Sequence, residues 1–127
     1  MQISEEYGDA RYVIRAYEAG SVQINETRYT DSVLLTPQRL ERDCLPSGAE
    51  SLTDIHLQAI ASLEPEIVIL GTGRRFRQAD AKVMAFFARM GIGLEVMDTG
   101  AACRTYNILM AEGRNVACAL LLGRPEP

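Results

Sequence analysis

The chain has 127 residues, 47% of them apolar and 24% charged, which is the balance of one soluble globular domain around a single core. Its formal net charge of -4 argues against a general nucleic-acid binder, because phosphate recognition needs a basic surface, although a local basic patch is compatible with it. We therefore predict one domain over residues 1–127, loosely ordered only at residues 1–10 and 123–127.

The few cysteines and the single histidine limit the kinds of metal site, disulfide and cellular compartment that the sequence allows. Cys44, Cys103 and Cys118 are odd in number, and no two of them have C-x-x-C spacing, so we predict no metal, no cofactor and a reducing cytoplasmic location. The first eight residues are polar and carry Glu5 and Glu6, which fits neither a signal peptide nor a transit peptide. The apolar runs are too short to span a membrane.

The first third of the chain is predicted to form antiparallel strands. Residues 12–17 and 21–24 are rich in strand-forming side chains and are separated by a turn that contains glycine. A third run covers residues 28–36 and ends at Pro37, since proline lacks the N–H that strand pairing requires. Residues 38–50 show no periodicity, so we predict a loop or an irregular crossover there.

From Ser51 onward, helices and strands alternate. Helices are predicted from Ser51 or Thr53 to residue 63, over 78–90 and over 99–112, and strands over 66–70, 93–97 and 115–122. Strands joined through helices are normally parallel, with right-handed crossovers. We therefore predict a layered α/β domain with a mixed sheet, in which N-terminal antiparallel strands precede a parallel β-α-β-α-β unit and extend or flank its sheet.

Each predicted helix has one apolar face. The first face includes the single histidine, His56, predicted to be buried and hydrogen-bonded, and the third includes Cys103, predicted to be a small core residue. Arg104 and Asn107 lie on the opposite side of the third helix, facing solvent, a neighbouring loop or a partner. The other core-facing residues of the first two helices are Leu52, Ile55, Ala59, Ile60 and Leu63, then Ala79, Val83, Met84, Phe86, Phe87 and Met90.

Two of the predicted parallel strands end in glycine-containing turns, 71–73 and 99–100. Both turns should open on the carboxyl edge of the sheet, where α/β proteins bind ligands. With Thr99 as the N-cap, free backbone N–H groups at the start of the third helix would form an anion site, assisted by nearby arginines. The candidate binding residues are Gly71, Thr72, Gly73, Arg74, Asp98, Thr99, Gly100, Arg104, Thr105 and Asn107.

A purely structural interpretation of these turns also stands. Glycine and a capping threonine are what any tight strand-to-helix connection needs, and Asp98 would repel an anion unless an arginine paired with it. Phe76 occupies the position of the third glycine in a dinucleotide-binding fingerprint, and no phosphate-loop motif is present. No acid–base or nucleophile set is recognisable, so we predict no catalytic residue.

Two motifs carry a resemblance to a known family. Residues 69–73 and 95–107, together with the strand pattern of residues 12–37, resemble a family of small proteins of unknown biochemical activity. Its eukaryotic relatives include a mitochondrial factor that assists assembly of respiratory complex I. The resemblance covers nearly the whole chain and implies a layered α/β fold with a mixed sheet, no established enzyme activity, and, for the mitochondrial relatives, work through protein partners.

Two hypotheses about function follow. The first is a non-enzymatic assembly or interaction factor that binds a protein partner, with a membrane respiratory complex as one destination, and that neither spans a membrane nor binds nucleic acid. The second is a binding protein or enzyme for a small anionic metabolite at the two turns.

Overall fold

The computed structural model describes residues 12–123. Apart from Gly123, the ends predicted to be loosely ordered lie outside the described residues. Eight strands and three α-helices follow in the order β1 (Ile14–Glu18), β2 (Ser21–Ile24), β3 (Thr27–Tyr29), β4 (Val33–Leu35), β5 (Leu40–Arg42), α1 (Asp54–Ala61), β6 (Ile67–Gly71), α2 (Ala81–Met90), β7 (Gly93–Met97), α3 (Thr99–Ala111) and β8 (Val116–Leu120). A short 3₁₀ helix, Ala49–Ser51, precedes α1.

The strands form two sheets. A small antiparallel sheet has the order β1-β2-β3, and a mixed sheet has the order β5-β4-β8-β6-β7. Within the mixed sheet β6 is parallel to both β7 and β8, whereas β4 is antiparallel to β8 and to β5. The predicted fold class is confirmed, with a parallel β-α-β-α-β unit preceded by antiparallel strands.

The mixed sheet separates two cores. Side chains of Ile69, Cys118 and Leu120 pack on one face, under α3 and the small sheet. The alternate residues Val68 and Leu70 pack on the other face, under α1 and α2. The helix that follows β6 covers one face of the sheet, and the helix that follows β7 covers the other. The connections that leave these two neighbouring strands therefore run in opposite directions along the sheet. Such a reversal is where open α/β sheets usually form a ligand crevice.

Two N-terminal predictions are corrected by this arrangement. The run over residues 28–36 is broken at residues 30–32, so that β3 completes the small sheet and β4 enters the mixed sheet. The predicted loop over residues 38–50 contains β5, a three-residue edge strand paired with β4. Its three residues are too few to show a periodicity of two.

The apolar faces of α1 and α2 are also rotated from those predicted. In α1 the buried residues are Leu57 and Ile60, and Ile55 is 79% exposed. In α2 the buried residues are Val83 and Phe87, whereas Met84 and Met90 are about half exposed. Met84 and Met90 are exposed because α2 lies beside β7, which is an edge strand. Among the described residues, no further strand lies outside β7 to cover this flank of the helix.

Candidate functional site

The two glycine-containing turns do meet at the carboxyl edge of the sheet, but hydrogen bonds join them. The N–H of Thr72 donates to Met97 O at 2.9 Å, and the N–H of Thr99 donates to Gly73 O at 2.9 Å. In return, the N–H of Gly73 donates to Thr99 Oγ1 at 2.8 Å. These bonds extend the β6–β7 pairing beyond the strands and close the crevice that the topology would otherwise leave.

Thr99 is the centre of this closure. Its side chain is fully buried, and its hydroxyl donates to Leu121 O at 2.7 Å while it accepts the Gly73 N–H. One hydroxyl thus joins the turn after β6, the start of α3 and the segment after β8. The prediction that Thr99 is the N-cap is wrong, since Thr99 is the first residue of the helix.

Asp98 caps α3 instead. Its Oδ1 accepts the N–H of Ala101 at 2.8 Å, and the N–H of Ala102 donates to its backbone oxygen at 2.9 Å. A carboxylate is favourable at this position because it meets the positive end of the helix dipole. The N–H groups of Ala101 and Ala102 are therefore already bonded within the protein, which satisfies two of the donors that the anion hypothesis requires.

The glycines and Thr72 have local structural roles. A Cβ on Gly71 would lie 3.0 Å from both the Cβ of Ala102 and the Cα of Thr99, so glycine lets α3 approach β6 closely. Gly73 has φ of +113°, a conformation that favours glycine. The hydroxyl of Thr72 donates to Arg75 O and accepts the N–H of Arg77, each at 2.9 Å, and so folds the loop that follows.

Gly100 lies against the small sheet. A Cβ at this position would be 3.3 Å from the ring of Tyr17 on β1. Burial is the main cause that raises the pKa of Tyr17; Cys103 and Asp98 add to the rise, and Arg74 opposes it. Tyr17 therefore interacts electrostatically with both Asp98 and Arg74 at the turn edge.

The arginines of the candidate set are free of ion pairs. Arg74 and Arg104 are exposed, and within residues 12–123 neither makes a salt bridge. The alternative in which an arginine pairs with Asp98 is likewise not found among the ion pairs of the described residues. Asp98 interacts with the helix end and not with a guanidinium.

Asn107 and Thr105 make two separate contacts, one with β1 and one with β7. Asn107 was predicted to face away from the core, but its amide pairs with β1: Nδ2 donates to Ile14 O at 2.7 Å, and Oδ1 accepts the Ile14 N–H at 3.1 Å. The side chain thus binds Ile14 as the peptide group of a neighbouring strand would. The hydroxyl of Thr105 contacts Met97 Sδ at 3.4 Å. Asn107 thus contacts the small sheet, whereas Thr105 contacts the last residue of β7, next to the turn edge.

Cys103 and His56 lie on opposite sides of the mixed sheet. Cys103 packs in the core under the small sheet, where burial raises its pKa to about 12, and this confirms the prediction of a core residue. His56 is half-buried and not buried as predicted; its Nδ1 accepts the N–H of Thr53 at 2.9 Å as part of a capping box at the start of α1. Sequence periodicity missed this role because the capping position lies on the edge of the apolar face.

The comparisons with known proteins place the chain in a family. Residues 14–121 match the family described as "Protein of unknown function (DUF498/DUF598)". The chain belongs to this family. The matched range runs from the start of β1 to one residue beyond β8, so it contains both sheets and all three α-helices.

Relatives in the DUF498/DUF598 family match along almost the whole chain. The chain is 30% identical over 122 residues to a "13 kDa major membrane protein" of Francisella tularensis, with 95% of this chain and 99% of the relative covered. It is 32% identical over 121 residues to human "NADH dehydrogenase [ubiquinone] 1 alpha subcomplex assembly factor 3", with 94% of this chain and 65% of the relative covered. The chain thus spans about two thirds of that longer protein.

Solved structures show the same fold. An NMR structure of a Xanthomonas campestris protein is 35% identical, covers 100% of this chain and 96% of its own, and superposes with a TM-score of 0.84. In the described part of the chain, no helix has the length and apolar character needed to cross a membrane.

Proposed function

We propose that this protein is a non-enzymatic assembly factor that acts by binding a protein partner in the cytoplasm, with a membrane respiratory complex as the destination of that partner. The observation that carries the proposal is the match along 94% of the chain to a relative named as a complex I assembly factor. Because that match covers 94% of the chain, and the family match over residues 14–121 includes both sheets and all three helices, the likeness concerns the whole domain.

The geometry of the turn edge supports the same proposal. An anion at this edge would need the N–H groups of Gly73 and Ala101, and both already donate to protein oxygens at 2.8 Å. Opening them would break one of the two hydrogen bonds of the buried Thr99 hydroxyl and the capping hydrogen bond of the Asp98 carboxylate. Since each such hydrogen bond contributes about 0.5–3 kcal/mol, ligand binding here would first have to offset that loss.

The proposal is tested in the native host with a chromosomally tagged chain. We expect the 14.0 kDa protein to elute from a sizing column in a larger complex with a second protein, and to return to its own size after the complex is dissociated by salt. Elution solely as a monomer or as copies of itself, under lysis conditions that preserve other complexes, would refute the proposal.

The respiratory destination is tested separately. In a deletion strain, membranes should oxidise NADH more slowly while succinate oxidation, which does not use complex I, stays unchanged. Equal loss of both activities, or loss of neither, would contradict a role in complex I assembly. It would not bear on partner binding, which the sizing experiment tests by itself.

A further inference from the structure

We propose that the outer edge of β7, together with the groove between β7 and α2, binds an extended acidic segment of a protein partner as an added strand. This inference rests on the proposed function, because it names where the partner binds. The surface consists of β7, the exposed flank of α2 and the loop 74–80, and we call it the β7 edge.

The first observation is that β7 has an unpaired side. Among residues 12–123, β6 is the only strand paired with β7. The N–H of Gly93 and the carbonyl of Met97 both bond toward the β6 side. Because alternate residues of a parallel ladder point in opposite directions, Leu94 and Val96 direct their N–H and C=O groups outward. Such a row of unsatisfied groups can accept another strand.

The second observation is an apolar groove beside that row. The groove has a volume of about 340 Å³, and Leu94 and Val96 are among the residues that line it. Phe76 and Met84 also line it and are 59% and 51% exposed. The same two residues of β7 therefore offer backbone groups outward and apolar side chains into the groove, which is the arrangement that recognises an extended peptide through alternate side chains. The remaining lining includes Ala79 and Ala88.

The third observation is the positive charge of the loop beside the groove. The loop 74–80 beside the groove carries three basic side chains and one acidic one, in a chain whose net charge is -4. The three arginines, Arg74, Arg75 and Arg77, are exposed, and within the described residues none of them forms a salt bridge. An acidic partner would find favourable pairing here, with arginine suited to planar carboxylates.

An acidic side chain on β7 itself disfavours a second copy of this chain as the partner. If two β7 strands paired antiparallel over all five residues, the exposed Glu95 at the centre would face its counterpart. Like charges directly opposite destabilise a strand pair. A heterologous segment avoids this penalty when it places an uncharged residue opposite Glu95 and its acidic residues beside the arginines of the loop 74–80.

The test uses photocrosslinking of the full chain in its native host. p-Benzoylphenylalanine is placed at Gln78, an exposed residue in the groove lining, and at Glu18, an exposed residue of the small sheet, as the control position. The proposal predicts crosslinks from position 78 to one net-acidic segment of another protein, and not from position 18. Crosslinks to residues 1–11 of this chain, to a second copy, to a basic segment or to nothing would overturn it.

Variants then separate strand addition from a merely adjacent contact. Val96→Pro removes an N–H that does not bond to β6, a change that edge strands tolerate, and should lower the crosslinking yield about tenfold. Val96→Thr keeps the N–H and should keep the yield within about twofold. Circular dichroism and urea unfolding check that both variants are folded.

A charge reversal provides a second, independent variant. Arg75→Glu/Arg77→Glu leaves the bonds to Thr72 intact, because those bonds use backbone atoms, and should lower the yield by roughly fivefold or more at low salt. Arg15→Glu/Arg39→Glu makes the same charge change away from the groove and should have little effect. If the partner still co-purifies at wild-type level with Val96→Pro, the β7-edge inference fails while the proposed function stands; absence of any partner removes both.

Discussion

The buried hydroxyl of Thr99 makes a quantitative prediction about stability. Thr99→Val preserves shape but removes the acceptor of the Gly73 N–H and the donor to Leu121 O, two groups that are themselves buried. At about 1–3 kcal/mol for each of the two unsatisfied buried groups, the free energy of unfolding should fall by about 2–6 kcal/mol. For a domain of this size, the melting temperature should fall by on the order of 10 °C.

Urea unfolding followed by circular dichroism measures this loss, with two controls. Thr99→Ser keeps the hydroxyl and should lose only about 1 kcal/mol for the methyl group. Thr105→Val removes a hydroxyl that contacts only a sulfur atom at 3.4 Å and should also cost less than about 1 kcal/mol. A Thr99→Val variant as stable as Thr99→Ser would show that this hydroxyl does not hold the turn edge closed.

Three further predictions concern packing, pH and thiol reactivity. Gly71→Ala should destabilise the protein by about 1–3 kcal/mol through its 3.0 Å contacts, whereas Gly93→Ala, whose new Cβ would meet its nearest atom at 3.5 Å, should be close to neutral in the same urea assay. The hydrogen bonds from Arg114 and from the N–H of residue 115 hold the pKa of Glu66 below its usual value, so the carboxylate stabilises the fold at neutral pH and this effect is lost as the pH falls through the folded-state pKa. The difference in urea unfolding midpoint between wild type and Glu66→Gln should therefore shrink as the pH is lowered. A difference that stays constant with pH would contradict this. In a thiol titration, half-buried Cys44 should react first and the two buried cysteines only on unfolding; three fast thiols in the native protein would be inconsistent with the core.

Much of the fold could be predicted from local patterns. The continuous apolar strand at β6, Gly91 at the end of α2 and the alternation after Ser51 indicate the parallel unit, because each signal depends on neighbouring residues alone. The division of residues 28–36 between two sheets could not be predicted, since the break at residues 30–32 depends on which strands β3 and β4 meet. The same holds for β5, which exists only through its pairing with β4.

The candidate site shows the same limit more sharply. Sequence placed the two turns at one edge, and they are there, but it could not show that the Thr99 hydroxyl and the Asp98 carboxylate satisfy the donors of the turns themselves. The anion-binding role of this edge stays a prediction, and thermal shift with phosphate on wild type and Arg74→Ala would detect it. The β7 edge was missed because Met84 and Val96 look like ordinary core residues until the strand order leaves their flank open.

Binding of a protein partner at the β7 edge joins the proposed function to the structure. The most direct measurement is quantitative mass spectrometry of proteins that co-purify with the chromosomally tagged chain, compared between wild type and Val96→Pro. If the partner binds at the β7 edge, one protein should be recovered in an amount comparable to the chain itself and depleted about tenfold by the variant. Recovery of no such protein with the wild type, or equal recovery with the folded variant, would contradict it.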